Sequence, residues 1–153
     1  MTMTAEQTER ANAPSGLSLE LTKYFDAKPE RVFDAWLSEE WGKWLPPFGA
    51  TCSLTTMEAK AGGAFVVAMK MPDGRDIEIS GKYIEIDRPN KLVMTWAGGC
   101  ASETLLTIRL RPENNGTLLT LLQEGFVEEQ AQQGYTRGWE GEGGSFDKLA
   151  KLL

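Results

Sequence analysis

The chain has 153 residues, of which 41% are hydrophobic and 25% charged, and it carries a net charge of −6 and no histidine. Its length and composition are typical of one globular domain with a sizeable core, whereas its negative charge argues against nucleic-acid binding, which needs a clustered positive field. The absence of histidine excludes Ser-His-Asp and Cys-His activation of a nucleophile and removes the commonest zinc ligand.

The chain begins with a polar segment that predicts a flexible N-terminal tail. Residues 1–16 are rich in Thr, Ala and Glu, and they lack the charged start and apolar core of a secretory signal. Residues 17–153 contain no internal repeat and no boundary to a second domain, so we expect them to form a single domain. No apolar run approaches the ~18 residues that a membrane-spanning helix needs.

A strand and two short helices are predicted after the tail. Residues 17–23 alternate between leucines and polar residues, apart from the last position, which is typical of a strand with one apolar face. Pro29 suits the first turn of a helix. Ser38 can cap a second short helix, which the prolines at 46 and 47 would end.

Six strands are predicted in the middle of the chain, separated by turn signals. The Pro-Asp-Gly sequence at 72–74 and the Asn-Gly pair at 115–116 suit tight hairpin turns. Short connections of this kind indicate that each strand pairs with the next, as in an antiparallel meander.

The last quarter of the chain, residues 128–153, predicts a long helix that packs against the sheet. Apolar residues and one acid recur there at steps of three and four, which places them on one stripe. Five glycines in the same run each lower helix stability by roughly 1 kcal/mol relative to alanine, so the helix needs support from a large partner surface. The alternative is two short helices with a glycine-rich break at 141–144. The stripe consists of Tyr135, Trp139, Glu142, Phe146, Leu149 and Leu153.

Several stretches of the sequence resemble a known family. The most specific is Glu-Ile-Asp-Arg-Pro at 85–89, ahead of a strand that ends in Thr95-Trp96. The chain is similar to the START-like (SRPBCC, helix-grip) superfamily, and within it to the activator of heat-shock protein ATPase homologue family. Members often carry a histidine where Gln123 stands, so a role of that histidine cannot be transferred here. The other matching stretches are 29–36, 62–65, 72–74, 81–84, 90–93, 134–135, 138–139 and 146–149.

The resemblance implies an α+β helix-grip fold, in which a curved antiparallel β-sheet wraps around a long C-terminal helix, with two short helices after the first strand. Such a fold leaves an apolar interior, which glycines on the helix would widen and which methionines could adapt to different shapes. We therefore expect a cavity for a hydrophobic ligand, although the same side chains could instead fill the core. The expected lining is Trp36, Phe65, Val67, Met69, Tyr83, Met94, Trp96, Tyr135, Trp139 and Phe146.

Some polar and aromatic residues could take either of two roles. Glu142 on the helical stripe could be a buried acid with a raised pKa, or it could lie in water at an open end of the groove. Either Gln123 or Glu124 is expected to point toward the cavity mouth. Among the aromatic residues of the short helices, Trp36 and Trp41 are expected in the core, whereas Trp44 and Phe48 could lie in the core, in a lid or on a partner surface.

Three functions are compatible with the sequence. The first is a binding module for a lipid-like or aromatic metabolite. The second, implied by the family resemblance, is a protein-interaction module that stimulates a heat-shock ATPase in the stress response. The third is a cyclase or hydrolase that uses a carboxylate with Tyr83 or Tyr135. We favour this enzymatic function less than the other two.

The same observations give expectations for partners and location. We expect no cofactor, no metal and no nucleic acid, and no catalytic residue is assigned. The edge strand at 17–24 could pair across a homodimer, although nothing in the sequence requires it. A chaperone partner has no support beyond the resemblance. Cys52 and Cys100 are too few for a disulfide scaffold, and they indicate reduced thiols in a cytoplasmic protein.

Overall fold

The structure is a computed structural model that describes residues 16–99 and 101–153. The predicted tail therefore lies almost entirely outside the described residues, as does Cys100. The elements follow the predicted order. They are β1 (Leu17–Phe25), α1 (Pro29–Trp36), α2 (Trp41–Trp44), β2 (Thr51–Met57), β3 (Ala64–Lys70), β4 (Asp76–Asp87), β5 (Lys91–Gly98), β6 (Ala101–Glu113), β7 (Gly116–Phe126), α3 (Glu129–Glu140) and α4 (Ser145–Leu152).

The strands form one seven-stranded sheet in the order β1-β7-β6-β5-β4-β3-β2, and all neighbours are antiparallel. Strands β2 to β7 are a meander, as the turn signals predicted. Strand β1 pairs with β7, so that Leu21 lies opposite Leu121 and the first strand of the chain joins the last. This arrangement leaves β1 and β2 at the two edges of the sheet.

One face of the sheet carries the core, and alternation along the strands decides which residues reach it. In β3, Phe65, Val67 and Met69 are buried, whereas the residues between them are only partly buried or exposed. Successive side chains of a strand point to opposite faces, so these three lie together on the inner face. All three were expected to point into the interior of the fold, and their burial agrees with that expectation.

The C-terminal segment packs on the inner face, but as two helices and not as one. Helix α3 ends at Glu140 and α4 begins at Ser145, so the alternative of a break at 141–144 describes the molecule. A Cβ atom at Gly141 would lie 2.5 Å from the Arg137 carbonyl oxygen, and one at Gly144 would lie 2.7 Å from the Gly138 carbonyl oxygen. The α+β helix-grip fold is confirmed, with a glycine-rich bend in its helical segment.

The two short helices close one end of the sheet with aromatic side chains. Trp36, Trp41 and Trp44 are all fully buried, whereas Phe48, in the following loop, is 46% exposed. The Trp44 indole Nε1 donates to the Ala35 carbonyl at 2.9 Å, which joins α2 to α1. Trp44 therefore belongs to the core, and Phe48 belongs to the surface.

Two stretches that carry the family resemblance meet in the structure. Asp34 in α1 accepts two hydrogen bonds from the Arg88 guanidinium, at 2.8 and 2.9 Å. Arg88 lies in the turn between β4 and β5, so this ion pair links α1 to that turn. The hydrogen bonds from Arg88 lower the pKa of the Asp34 carboxyl.

Candidate functional site

A cavity of about 690 Å³ lies between the inner face of the sheet and α3, and the loop after α2 borders it. Strands β3, β4 and β5 supply one wall, and α3 supplies the other. Most of the lining is apolar, and the charged residues come from the turn before β4, from the start of β4 and from α3. The lining residues are Leu45, Pro47, Phe48, Met69, Met71, Arg75, Asp76, Ile77, Ile79, Trp96, Gly99, Gly134, Tyr135, Arg137, Gly138, Trp139 and Ser145.

Four of the residues expected in the lining do line this cavity. They lie on three elements that approach one another on the inner face of the sheet. Met69 comes from β3 and Trp96 from β5, while Tyr135 and Trp139 come from α3. Whether they bind a ligand stays a prediction.

The other six expected lining residues lie in the closed core and do not line the cavity. The short helices fill that end of the groove, because Trp41 packs its ring against Phe65 at a centroid distance of 5.3 Å. Phe146 is likewise occupied, since its ring lies edge-on to Phe25 at 5.9 Å. All six are almost fully buried: Trp36, Phe65, Val67, Tyr83, Met94 and Phe146.

The sequence interpretation missed residues that lie in turns or on the same strand face as an expected residue. Ile77 and Ile79 share the face of Tyr83 in β4 because their numbers differ by even steps, so alternation could have identified them. Pro47, Phe48 and Met71 lie in loops, where no strand or helix period applies. Their inclusion depends on how the loops fold over the sheet.

A chain of hydrogen bonds holds Trp139 in the cavity wall. Its Nε1 donates to Gln123 Oε1 at 3.0 Å, and Gln123 Nε2 donates to Thr104 Oγ1 at 3.0 Å. Thr104 Oγ1 in turn donates to the Trp96 carbonyl at 2.8 Å. Gln123 is thus the inward-facing member of the Gln123–Glu124 pair, but it is buried behind Trp139 and does not reach the cavity mouth.

The polar atoms of other lining side chains are also engaged within the protein. Tyr135 OH donates to the Gly98 carbonyl at 2.8 Å and accepts a hydrogen bond from Trp96 Nε1 at 3.2 Å. Ser145 Oγ donates to the Leu45 carbonyl at 2.5 Å. The cavity wall therefore presents mainly apolar surface, and its buried hydroxyl and indole groups serve the fold.

Charged residues lie at the opening of the cavity. Arg75 pairs with Asp73, with Nε and Oδ2 2.7 Å apart, and Lys70 pairs with Asp76 at 3.3 Å. The guanidinium of Arg137 has neither an ion pair nor a hydrogen bond with residues 16–99 or 101–153. The lining thus contains two guanidinium groups and one carboxylate.

The family model described as Activator of Hsp90 ATPase homolog 1-like protein matches residues 26–153. The chain belongs to this family. The START-like, helix-grip assignment drawn from the sequence motifs is thereby confirmed.

Solved structures with the same fold come from several bacteria. A protein from Chromobacterium violaceum is 28% identical, with a TM-score of 0.82 over 90% of this chain and 98% of that one. The AHSA1 protein from Silicibacter pomeroyi is 22% identical, with a TM-score of 0.73 over 90% of this chain and 97% of that one. No curated protein matches the chain.

The residues considered for acid-base chemistry are not arranged as a pair. Burial raises the pKa of Tyr83 to about 12, and its hydroxyl lies in the core. Tyr135 is engaged with Gly98 and Trp96, and Glu142 is exposed in the bend between α3 and α4. Glu142 therefore lies in water, as the second of its two interpretations proposed.

The described part of the chain offers neither a metal site nor a membrane-spanning helix. Residues 16–99 and 101–153 contain no group of three or more Cys, Asp or Glu side chains able to hold a metal ion. None of the helices in those residues has both the length and the apolar character needed to cross a membrane. Cys52 is a free thiol whose Sγ donates to the Gly42 carbonyl at 3.3 Å.

Proposed function

We propose that this protein binds a hydrophobic small molecule in the cavity between the sheet and α3. The observation that carries the proposal is a cavity of about 690 Å³ with a mainly apolar lining. Pockets for small molecules commonly measure roughly 300–1,000 Å³ and combine apolar walls with a few polar groups. The volume suits a ligand with the bulk of a medium-chain lipid or a fused aromatic ring system.

The lining residues favour an apolar ligand over a polar one. Trp96 and Trp139 present ring surface, and their indole N–H groups already have acceptors in the protein. A polar ligand would therefore lose its hydrogen bonds to water without replacing them, which is costly in a buried site. Met69 and Met71 can adjust their flexible side chains to ligands of different shape.

Gly138 offers a matched pair of variants that tests the proposal. It lies on α3 in the cavity lining, and a Cβ atom there would meet only Pro47 Cγ, at 3.8 Å. Alanine therefore fits without closing the cavity, whereas leucine would project into the space between α3 and the loop. We expect Gly138→Ala to bind like the wild type and Gly138→Leu to lose most of its affinity while remaining folded.

The measurement begins with native mass spectrometry of protein purified from cells, followed by denaturation to release and identify any bound molecule. A thermal-shift screen with fatty alcohols and fused aromatic compounds then compares the two variants. A ligand at one hundred times its dissociation constant stabilises the folded state by about 2.7 kcal/mol. If none of these compounds stabilises the wild type and no copurified molecule is found, the binding proposal is wrong.

A second candidate function follows from the family description, which refers to activation of the Hsp90 ATPase. Contact with a chaperone would use the outer surface and not the cavity. Its test is the ATPase rate of purified Hsp90 with and without this protein. An increase that Gly138→Leu leaves intact would favour this function, and an unchanged rate would remove it.

A further inference from the structure

The polar atoms of the cavity limit where a charged or polar group of a ligand can lie. Trp96, Trp139 and Tyr135 direct their polar atoms to partners inside the protein. Ser145 likewise donates to the Leu45 carbonyl. A ligand with one polar end would consequently place its apolar body inside and its polar end at the opening, where charged side chains lie.

The opening favours a negative group at that position. Arg75 and Arg137 line it from different elements, the turn before β4 and the last turn of α3. Asp76 is the one carboxylate among the lining residues, and Lys70 pairs with it. In a chain with a net charge of −6, two guanidinium groups at one opening are a local exception.

Arg137 has the greater capacity to bind a ligand. Its guanidinium has no partner in residues 16–99 and 101–153, whereas Arg75 uses its Nε to contact Asp73. A basic residue in the last turn also interacts favourably with the helix dipole, but that interaction leaves the N–H groups of the guanidinium available. Those groups form a planar fork that matches the two oxygens of a carboxylate.

We propose that the ligand of this cavity is an amphipathic carboxylate, with its hydrocarbon or aromatic body between the sheet and α3 and its carboxylate on Arg137, assisted by Arg75. The inference rests on the proposed binding function and adds the chemical class of the ligand. Exposed guanidinium groups are screened by water, so the carboxylate adds selectivity while the apolar body supplies most of the affinity.

The test compares acids with alcohols of the same carbon skeleton. The probes are dodecanoic acid and dodecanol for a chain-like ligand, and naphthoic acid and naphthylmethanol for an aromatic one. The proteins are the wild type, Arg137→Gln, and Arg111→Gln as a control that removes the same charge from an exposed site on β6 outside the cavity lining. Binding is measured by calorimetry and by the intrinsic tryptophan fluorescence, to which Trp96 and Trp139 in the cavity wall contribute.

We expect the wild type to bind one of the acids about tenfold more tightly than its alcohol. Arg137→Gln should lose that preference while its affinity for the alcohol stays within about twofold, and Arg111→Gln should behave like the wild type. The preference should also weaken as salt is added, because exposed charges are screened.

The outcomes separate the two proposals. If the alcohols bind and neither acid binds more tightly, the carboxylate inference is wrong while the binding function stands. An acid preference that Arg111→Gln reduces as much as Arg137→Gln would also overturn the inference, because it would reflect overall charge. If neither acids nor alcohols bind, both proposals fail.

Discussion

Two buried aromatic residues differ in how their polar atoms are satisfied. Trp139 donates to Gln123, whereas the hydroxyl of Tyr83, a residue only 1% exposed, has no hydrogen-bond partner in the described residues. A buried hydroxyl without a partner gives up its hydrogen bonds to water and gains none in return. Tyr83 is therefore a residue at which a small substitution should improve the core.

We expect Tyr83→Phe to leave the free energy of unfolding at pH 7 unchanged or to raise it by up to about 1 kcal/mol. The variant keeps the ring that packs against Phe65 at 5.4 Å. Urea unfolding measures the difference. A loss of more than about 1 kcal/mol would mean that the hydroxyl makes a stabilising hydrogen bond, and it would contradict this prediction.

The same pair of proteins gives a prediction for alkaline pH. Burial raises the pKa of Tyr83 to about 12 in the folded protein, whereas a tyrosine in the unfolded chain has a pKa near 10. Below pH 10 both states hold the proton, so stability does not depend on this group. Between pH 10 and 12 the unfolded state loses its proton first, and wild-type stability should fall relative to Tyr83→Phe by about 1.4 kcal/mol per pH unit. Parallel curves for the two proteins over that range would contradict the raised pKa.

At the residue scale, the sequence predicted the inward-facing positions well and the cavity lining only partly. Strand alternation correctly placed Phe65, Val67 and Met69 on the inner face. It could not show that Trp41 would cover Phe65, because that contact depends on how α2 docks onto the sheet. Burial follows from local periodicity, whereas access to a cavity depends on which distant side chains fill the space.

At the scale of elements, the bend between α3 and α4 explains why the residues of the C-terminal stripe do not lie on one continuous helix. Trp139, Phe146 and Leu149 are buried as the stripe predicted, although the helix stops between the first two. The glycines at the bend keep both helices on the sheet while allowing backbone atoms to approach closely. The period of three and four identified the buried side chains, and the glycine cluster marked the interruption.

Alanine substitutions in this segment should differ according to position. A Cβ atom at Gly144 would lie 2.7 Å from one carbonyl oxygen and 2.9 Å from another, so Gly144→Ala should lower the free energy of unfolding by roughly 1–3 kcal/mol. Gly138→Ala meets no such obstacle, and it should raise stability by up to about 1 kcal/mol because alanine favours helix. Thermal and urea unfolding of both variants measure the contrast, and equal effects would contradict it.

At the scale of the whole molecule, the cavity joins parts of the chain that are far apart in sequence. Its walls come from the loop after α2, strands β3 to β5 and α3. The general fold could be predicted from turn signals and the family resemblance. The site itself could be predicted only in outline, since its opening is formed by loops whose positions no periodicity specifies.

Hydrogen exchange should show that a ligand bound in the cavity protects these distant segments together. With the tightest-binding probe at one hundred times its dissociation constant, amides that exchange only by global unfolding should slow by about a hundredfold, because unfolding releases the ligand. Protection should also rise at 71–77 and 134–139, which line the cavity. The hairpin turn at 113–116 lies outside the lining. We expect its amides to exchange by local opening, so their exchange should not change. Equal slowing at that turn would argue against binding in this cavity.

The pairing of β1 with β7 has a consequence for how the molecule is made. Leu17 pairs with Phe126, so more than a hundred further residues must be synthesised before the partner strand of β1 is complete. Helix α3, which carries Trp139, follows β7 in the chain and is made later still. A nascent chain therefore possesses most of its strands before it possesses a cavity. A ligand can be captured only after α3 has been synthesised and has closed the second wall.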